Sequence, residues 1–341
     1  MSRTDRLLSD LERGFEALEA GKLDTAASIV ERCQRIDRKN PDVIALAAAV
    51  SDASGDVDDA FAQYRLLCEL RPDDPMPRIC VARLELQGLG DPDAALDTIQ
   101  AAFPFIDEEA DLIEAIYIKA QALVARGEPD AARDALGELS SSVIDDGELA
   151  LDLAELALAA EDPAAAKRWV EIADREPELH ADAVHMLGRI HEATGDLAAC
   201  VKAWQDVRKL DLAAAASAPD GALAISEDDV EQIAQQTLTE LPSQIREKLE
   251  RVPILIDDLP SEELVADGVD PRLLGLFQGT PMPEGGDLAP TVTNILLFRG
   301  NLARACVDAD HLAEEIRITV LHETAHYFGL DEDDLEALGL D

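Results

Sequence analysis

The sequence predicts a mostly α-helical protein, an N-terminal α-solenoid of helical hairpins followed by a small α+β domain. Two observations carry this reading. A turn motif recurs at near-constant spacing through the first two thirds of the chain, and short β-branched runs appear between amphipathic helices beyond it. At 341 residues the chain exceeds what one hydrophobic core usually organises. Its 47% of apolar residues suffice for packed interiors, despite a net charge of −43.

The repeat comes first. The turn falls at Gly21, Gly55, Gly90, Gly127, Glu161 and Gly195, in steps of 34, 35, 37, 34 and 34 residues. Five residues after it stand Ala26, Ala60, Ala95, Ala132, Ala166 and Cys200, all small. Nine after it stand Val30, Tyr64, Ile99, Leu136, Val170 and Trp204, all apolar. Seven before it come Gly14, Ala48, Ala120, Ala154 and Gly188, while the third repeat is out by one and offers Ala82. A helix, a tight turn and a second helix explain the pattern. Small residues let the two backbones cross closely, and the larger residue one turn later fills the space beside them. One such pair cannot bury its apolar face alone, so neighbours stack. Spacing and residue classes resemble the tetratricopeptide repeat (TPR) over about residues 5–212, and the expected repeat domain is 1–212. That resemblance implies a concave groove holding a segment of another protein. The unit carries no evident basic clamp for a carboxylate. His180, His185 and His191 lie five and six apart, do not share a helical face, and read as ordinary helix residues.

Residues 213–226, rich in Ala, Ser, Pro and Gly, read as a linker, although the alanine run could prolong the preceding helix. In 227–341 the pattern changes. Residues 227–241 read as an amphipathic helix and 242–250 as a shorter one with proline near its start. Residues 252–256 (VPILI) and 294–298 (NILLF) suit strands, 273–277 more weakly. A surface loop at 279–290 precedes a last helix, expected to start near Asp308 or Asp310 and to run to about Phe328.

Composition narrows the partners. Acidic side chains outnumber basic ones 72 to 29, so the surface repels phosphates, and no nucleic-acid or anionic-membrane partner is expected. No apolar window is long enough for a membrane span, and residues 1–14 lack a signal-peptide core. Five scattered cysteines, never paired as C-x-x-C, read as thiols of a reducing compartment, which suggests a cytoplasmic protein.

The chemistry concentrates near the C-terminus. His322-Glu323-Thr324-Ala325-His326 is an H-E-x-x-H on the last expected helix. Four residues are just over one turn, about 6 Å of rise. Both imidazoles therefore share a face and suit one Zn²⁺, which favours three protein ligands plus water at a catalytic site. Glu323 is the candidate general base. Gly329 offers a left-handed helix end that turns the acidic tail back towards the histidines. The order HExxHxxGxxE resembles the extended metzincin motif, with Glu332 where those proteins place a third histidine. Glu332 is the chosen third ligand, with Asp331 and Asp333 as alternatives. His311 reads as a first-turn helix residue, Tyr327 suits oxyanion stabilisation and packing equally, and Arg299 and Arg304 receive no role.

Residues 227–341 as a whole resemble the small bacterial zincin-like metallopeptidase family, through Leu241-Pro242, LLGLFQGTP at 273–281, ILLFRGNLARAC at 295–306 and VLHETAHYFGLDEDDLEALGL at 320–340. The resemblance implies zinc, His322 and His326 as ligands, Glu323 as general base and an acidic third ligand at Glu332. It also implies a strand beside the active-site helix that pairs with extended substrate backbone, and NILLF is the expected strand. The function expected is a zinc-dependent peptidase whose repeats recruit a protein substrate or regulator. The alternative is a protein-binding scaffold with a structural or inactive zinc domain.

Overall fold

The structure, a computed structural model, describes residues 3–139, 144–217, 223–241, 243–249, 252–279 and 294–328. It divides into two compact units, Met1–Arg175 and Glu176–Asp341.

The first unit is a series of helical hairpins: α1 (Arg3–Glu19) with α2 (Leu23–Asp37), α3 (Pro41–Ala53) with α4 (Val57–Leu70), α5 (Met76–Arg83) with α6 (Pro92–Gln100), α7 (Glu109–Ala125) with α8 (Pro129–Leu136), and α9 (Gly147–Ala159) with α10 (Pro163–Ala173). The expected crossing residues Ala26, Ala48, Ala60, Ala95, Ala120, Ala132, Ala154 and Ala166 are buried. At the turns the first helix closes in a Schellman pattern: Gly55 N–H donates to Asp52 O and Asp56 N–H to Ser51 O, at 3.0 and 2.9 Å. Where an aspartate follows the turn, it caps the second helix. Asp56, Asp91 and Asp162 each accept from a backbone N–H three residues on.

The irregular steps have structural counterparts. The 35-residue step contains one extra residue, and helix α5 absorbs it by continuing into a π turn at Leu84–Gly88. This is why Ala82, one residue early, makes the third crossing and is fully buried. In the 37-residue step a 3₁₀ turn, Phe103–Phe105, and an extended link precede α7.

The second unit begins with one more hairpin, α11 (His180–Ala193) and α12 (Leu197–Ala216). Its crossing is tight: a Cβ at Gly188 would lie 2.3 Å from Trp204 Nε1. The alanine run prolongs α12 to Ala216, so part of the expected linker is helical. The repeat pattern in the sequence ends near residue 212, whereas the compact units divide earlier and group this hairpin with the α+β elements of the second unit.

Then come α13 (Glu227–Glu240), α14 (Ser243–Leu249), β1 (Ile254–Asp257), α15 (Glu262–Ala266), β2 (Gly275–Gln278), β3 (Asn294–Phe298), α16 (Arg299–Ala305) and α17 (Ala309–Phe328). The three strands form one sheet in the order β1-β3-β2, with β1 parallel and β2 antiparallel to β3. Its core joins Val230 and Ala234 of α13, Ile295 and Leu297 of β3, Leu302 of α16, and Leu312, Ile316 and Val320 of α17. The fold is thus mostly α, TPR-like hairpins followed by a small α+β domain. Among the described residues no helix is long and apolar enough to cross a membrane.

Every turn glycine of the repeat has positive φ, between 64° and 76°, and among the described residues Glu161 is the one non-glycine residue with positive φ, at 58°. A side chain in the left-handed region costs about 1 kcal/mol or slightly more. Glu161 is exposed, and the bond that Arg133 makes there goes to its main-chain oxygen. We expect Glu161→Gly to stabilise the chain by about 0.5–1 kcal/mol, raising the Tm by roughly 2 °C. Thermal unfolding followed by circular dichroism checks this, and a lowered Tm would refute it.

Candidate active site

Helix α17 carries the H-E-x-x-H in its last two turns. It starts where expected: the Asp308 carboxylate accepts from His311 N–H at 2.8 Å. Leu312, Ile316, Thr319, Val320, Glu323 and Thr324 are buried at spacings of three and four, the stripe that a helix lays on a core. Glu323 therefore belongs to the buried side, with 7% exposure. His322 is half-buried.

A carboxylate on such a stripe is unfavourable unless it is hydrogen-bonded. Strand β2 meets that need. Phe277 N–H donates to Glu323 Oε2. The strand approaches this closely because it opens with glycine. A Cβ on Gly275 would lie 2.6 Å from Thr319 Cγ2, 2.9 Å from Glu323 Cγ and 3.1 Å from Glu323 Oε1.

Sheet register explains which groups face the helix. Phe298 N–H donates to Leu274 O, and the pairing then aligns Leu276 with Leu296. Alternate residues of β2 thus point their main-chain groups at β3, while Gly275 and Phe277 point theirs at the outer edge. The expectation for NILLF is corrected here. It is β3, the central strand, with Ile295 N–H donating to Pro253 O on one side and β2 paired on the other. Among the described residues, the edge strand beside α17 is β2.

His326 lies in the same helix, just over one turn after His322. Its side chain, and Glu332 with the alternatives Asp331 and Asp333, lie outside the described residues. Among the described residues no group of three or more His, Cys, Asp or Glu forms a metal site.

Residues 249–340 match the model of the zincin-like metallopeptidase family. TPR-like repeats are here fused to a zincin-like metallopeptidase domain. The helical part is similar to solved structures. One is PilW, a widely conserved type IV pilus biogenesis factor, with TM-score 0.52 and 16% identity over 60% of this chain and 92% of that one. Another is pilF of Pseudomonas aeruginosa, with TM-score 0.50 and 13% identity over 62% and 94% of the two chains. A TPR protein of Thermus thermophilus scores 0.44, with 18% identity over 55% of this chain and 98% of that one. No curated protein matches the chain.

Sequence reasoning missed several residues around the zincin-like domain's β2. Gly275 and Phe277 lie in the segment 273–281 that carries the resemblance, but nothing local marks their role, which comes from a helix more than forty residues away. His185, read as an ordinary helix residue, has Nε2 at 2.9 Å from both Asp270 oxygens. Burial pushes Asp270 up, but the hydrogen bond and charge of His185, with Arg272, outweigh it and hold the carboxyl below its ordinary range. Arg304, assigned no role, donates to Asp211. Arg299 pairs with Asp258 at 2.7 Å and donates to Ile225 O.

The close contact at Gly275 yields a second prediction. Gly275→Ala forces β2 and α17 apart and should destabilise the zincin-like domain by about 1–3 kcal/mol, as overpacking does. The midpoint of urea unfolding reports this. An unchanged midpoint would mean that β2 does not lie so close to the helix.

Proposed function

We propose that the chain is a zinc-dependent metallopeptidase in which Glu323 is the general base and the TPR-like repeats recruit a protein substrate or regulator. The observation that carries the reading is the pair at the end of α17: a buried carboxylate held by the β2 edge, next to a half-buried imidazole. A buried, specifically hydrogen-bonded acid in a domain that matches a metallopeptidase family is better explained by chemistry than by stability.

The donor chemistry fits zinc. Imidazole nitrogens and a carboxylate are the ligands of hydrolytic zinc sites, and His322, His326 and an acidic residue of the tail, Glu332 before Asp331 or Asp333, would supply them. When bound, Zn²⁺ provides Lewis acidity for hydrolysis of a carbonyl compound. The chain's own residues do the rest. Glu323 takes a proton from the attacking water and later gives it to the leaving amine. The Phe277 N–H fixes which of its oxygens remains turned towards the site. On this reading an extended substrate backbone would align along β2, as strand-adding peptides do, using main-chain groups other than the Phe277 N–H that Glu323 already takes.

Two variants test this. Glu323→Gln preserves the acceptor for Phe277 N–H but removes the base. It should keep the zinc content of the wild type and lose peptide cleavage by about 10²–10⁴-fold in kcat. Cleavage retained in that variant would overturn the mechanism. His322→Ala should lose the zinc measured by metal analysis of the purified chain. One zinc per chain in that variant would remove His322 as a ligand.

A further inference from the structure

Hairpin α11–α12 continues the repeat pattern, yet its surface is committed to the zincin-like domain. Apolar, hydrogen-bonded and ionic contacts bind it there. Cys200 and Trp204 of α12 form a buried cluster with Val265 of α15. Arg208 Nε donates to Pro260 O at 2.7 Å. The strongest contact grips the segment that leads into β2. Arg272 binds Asp211 bidentately, through Nε and Nη2 at 3.1 Å each, and donates a third bond to Asp182. Arg304 donates to the same Asp211 carboxylate, which is 4% exposed. His185, three residues after Asp182 and on the same face of α11, engages Asp270.

The path from this clamp to the site is short. Asn301 Nδ2 donates to Pro271 O and Leu273 O at 2.8 and 2.7 Å, tying down the backbone on both sides of Arg272. Leu274 O then accepts from Phe298 N–H, and Gly275 opens the edge strand on which Glu323 rests. Gly275 is three residues along from Arg272, a reach of about 10 Å at most.

We propose that this last hairpin is a brace of the zincin-like domain, not a recruiting repeat, and that Arg272 is a positioning residue which sets the approach of the β2 edge to Glu323. Its face at Asp182 and His185 is filled by the chain's own segment 270–272, so it is closed to a foreign peptide. The effect on catalysis rests on the peptidase reading, whereas the effect on the strand does not.

Amide hydrogen exchange on the full chain, without substrate, separates the two. In Arg272→Gln and Asp211→Asn, exchange at Gly275–Gln278 should rise about tenfold or more relative to wild type, with β1 at Ile254–Asp257 rising much less. Exchange that is unchanged at β2, or that rises equally in both strands, overturns the brace. Should both variants fail to fold, His185→Ala removes only the bond to Asp270. It should still give a selective, smaller acceleration at β2, and its absence is equally decisive. With a cleaved peptide in hand, the folded variants should lose kcat at unchanged zinc content. If the wild type cleaves nothing, the peptidase reading falls and the exchange result still decides the brace.

Discussion

The zincin-like domain is arranged around one requirement, that a carboxylate on the core-facing stripe of a helix must not be left without a hydrogen-bond donor. Glu323 lies in line with Ile316 and Val320, where an aliphatic residue would be expected from burial alone. An unpaired acid there would cost several kcal/mol or remain protonated. Strand β2 removes the difficulty with a backbone N–H, which cannot rotate away as a side chain can. The glycine at the head of β2 follows from the same requirement, because any Cβ would hold the strand off. Antiparallel register then decides that Phe277, and not Leu276, presents its N–H to the helix.

A strand given this task needs anchoring at both ends of its approach. On one side it is paired to β3, which is buried along most of its length and fixed by β1 beyond. On the other, the segment before β2 carries Arg272 into a nest of carboxylates. Burying ions is expensive, and such pairs contribute little net stability compared with well-packed apolar residues. They discriminate between arrangements far more sharply, since removing one partner leaves a buried charge at a cost of about 3–5 kcal/mol. The bidentate fork of Arg272 adds direction to that discrimination, which a lysine could not supply. A chain with so large an acidic excess has few cations to place, and three of its arginines, Arg208, Arg272 and Arg304, are committed to this junction.

The range of each constraint decides how much of it the sequence reveals. The repeat is legible because its rules are local: a left-handed turn, an aspartate cap, a small residue at each crossing. Even its irregularity is visible, since Ala82 stands one place early, although only the structure identifies the π turn as the means of absorbing it. The H-E-x-x-H is legible for the same reason, being a property of one helix turn. NILLF shows the limit. A run that is apolar at nearly every position is consistent with any strand buried on both faces, and the sequence holds no sign of which neighbours it takes. Arg272 lies 61 residues from Asp211 and 90 from Asp182 along the chain, and each alone resembles an ordinary surface charge. The burial of Asp211 beneath Arg272, not the identity of either residue, marks the clamp.

The same junction resolves a difficulty that every stacked-repeat protein faces. Each hairpin in such a stack is stabilised by its neighbours, so the last one exposes a face with no following repeat to cover it. A polar capping helix is the usual remedy. Here the hairpin α11–α12 is covered by segments of the zincin-like domain, apolar at Val265 and ionic at Asp270 and Arg272. The mixed character matters. An apolar cover alone would stabilise the end of the repeat while leaving the attached domain free to shift along it, because dispersion and area burial have little directional preference. Charged forks and an imidazole admit one register. A repeat that ends in this way therefore covers its own terminus and orients the strand beside Glu323 with the same few side chains.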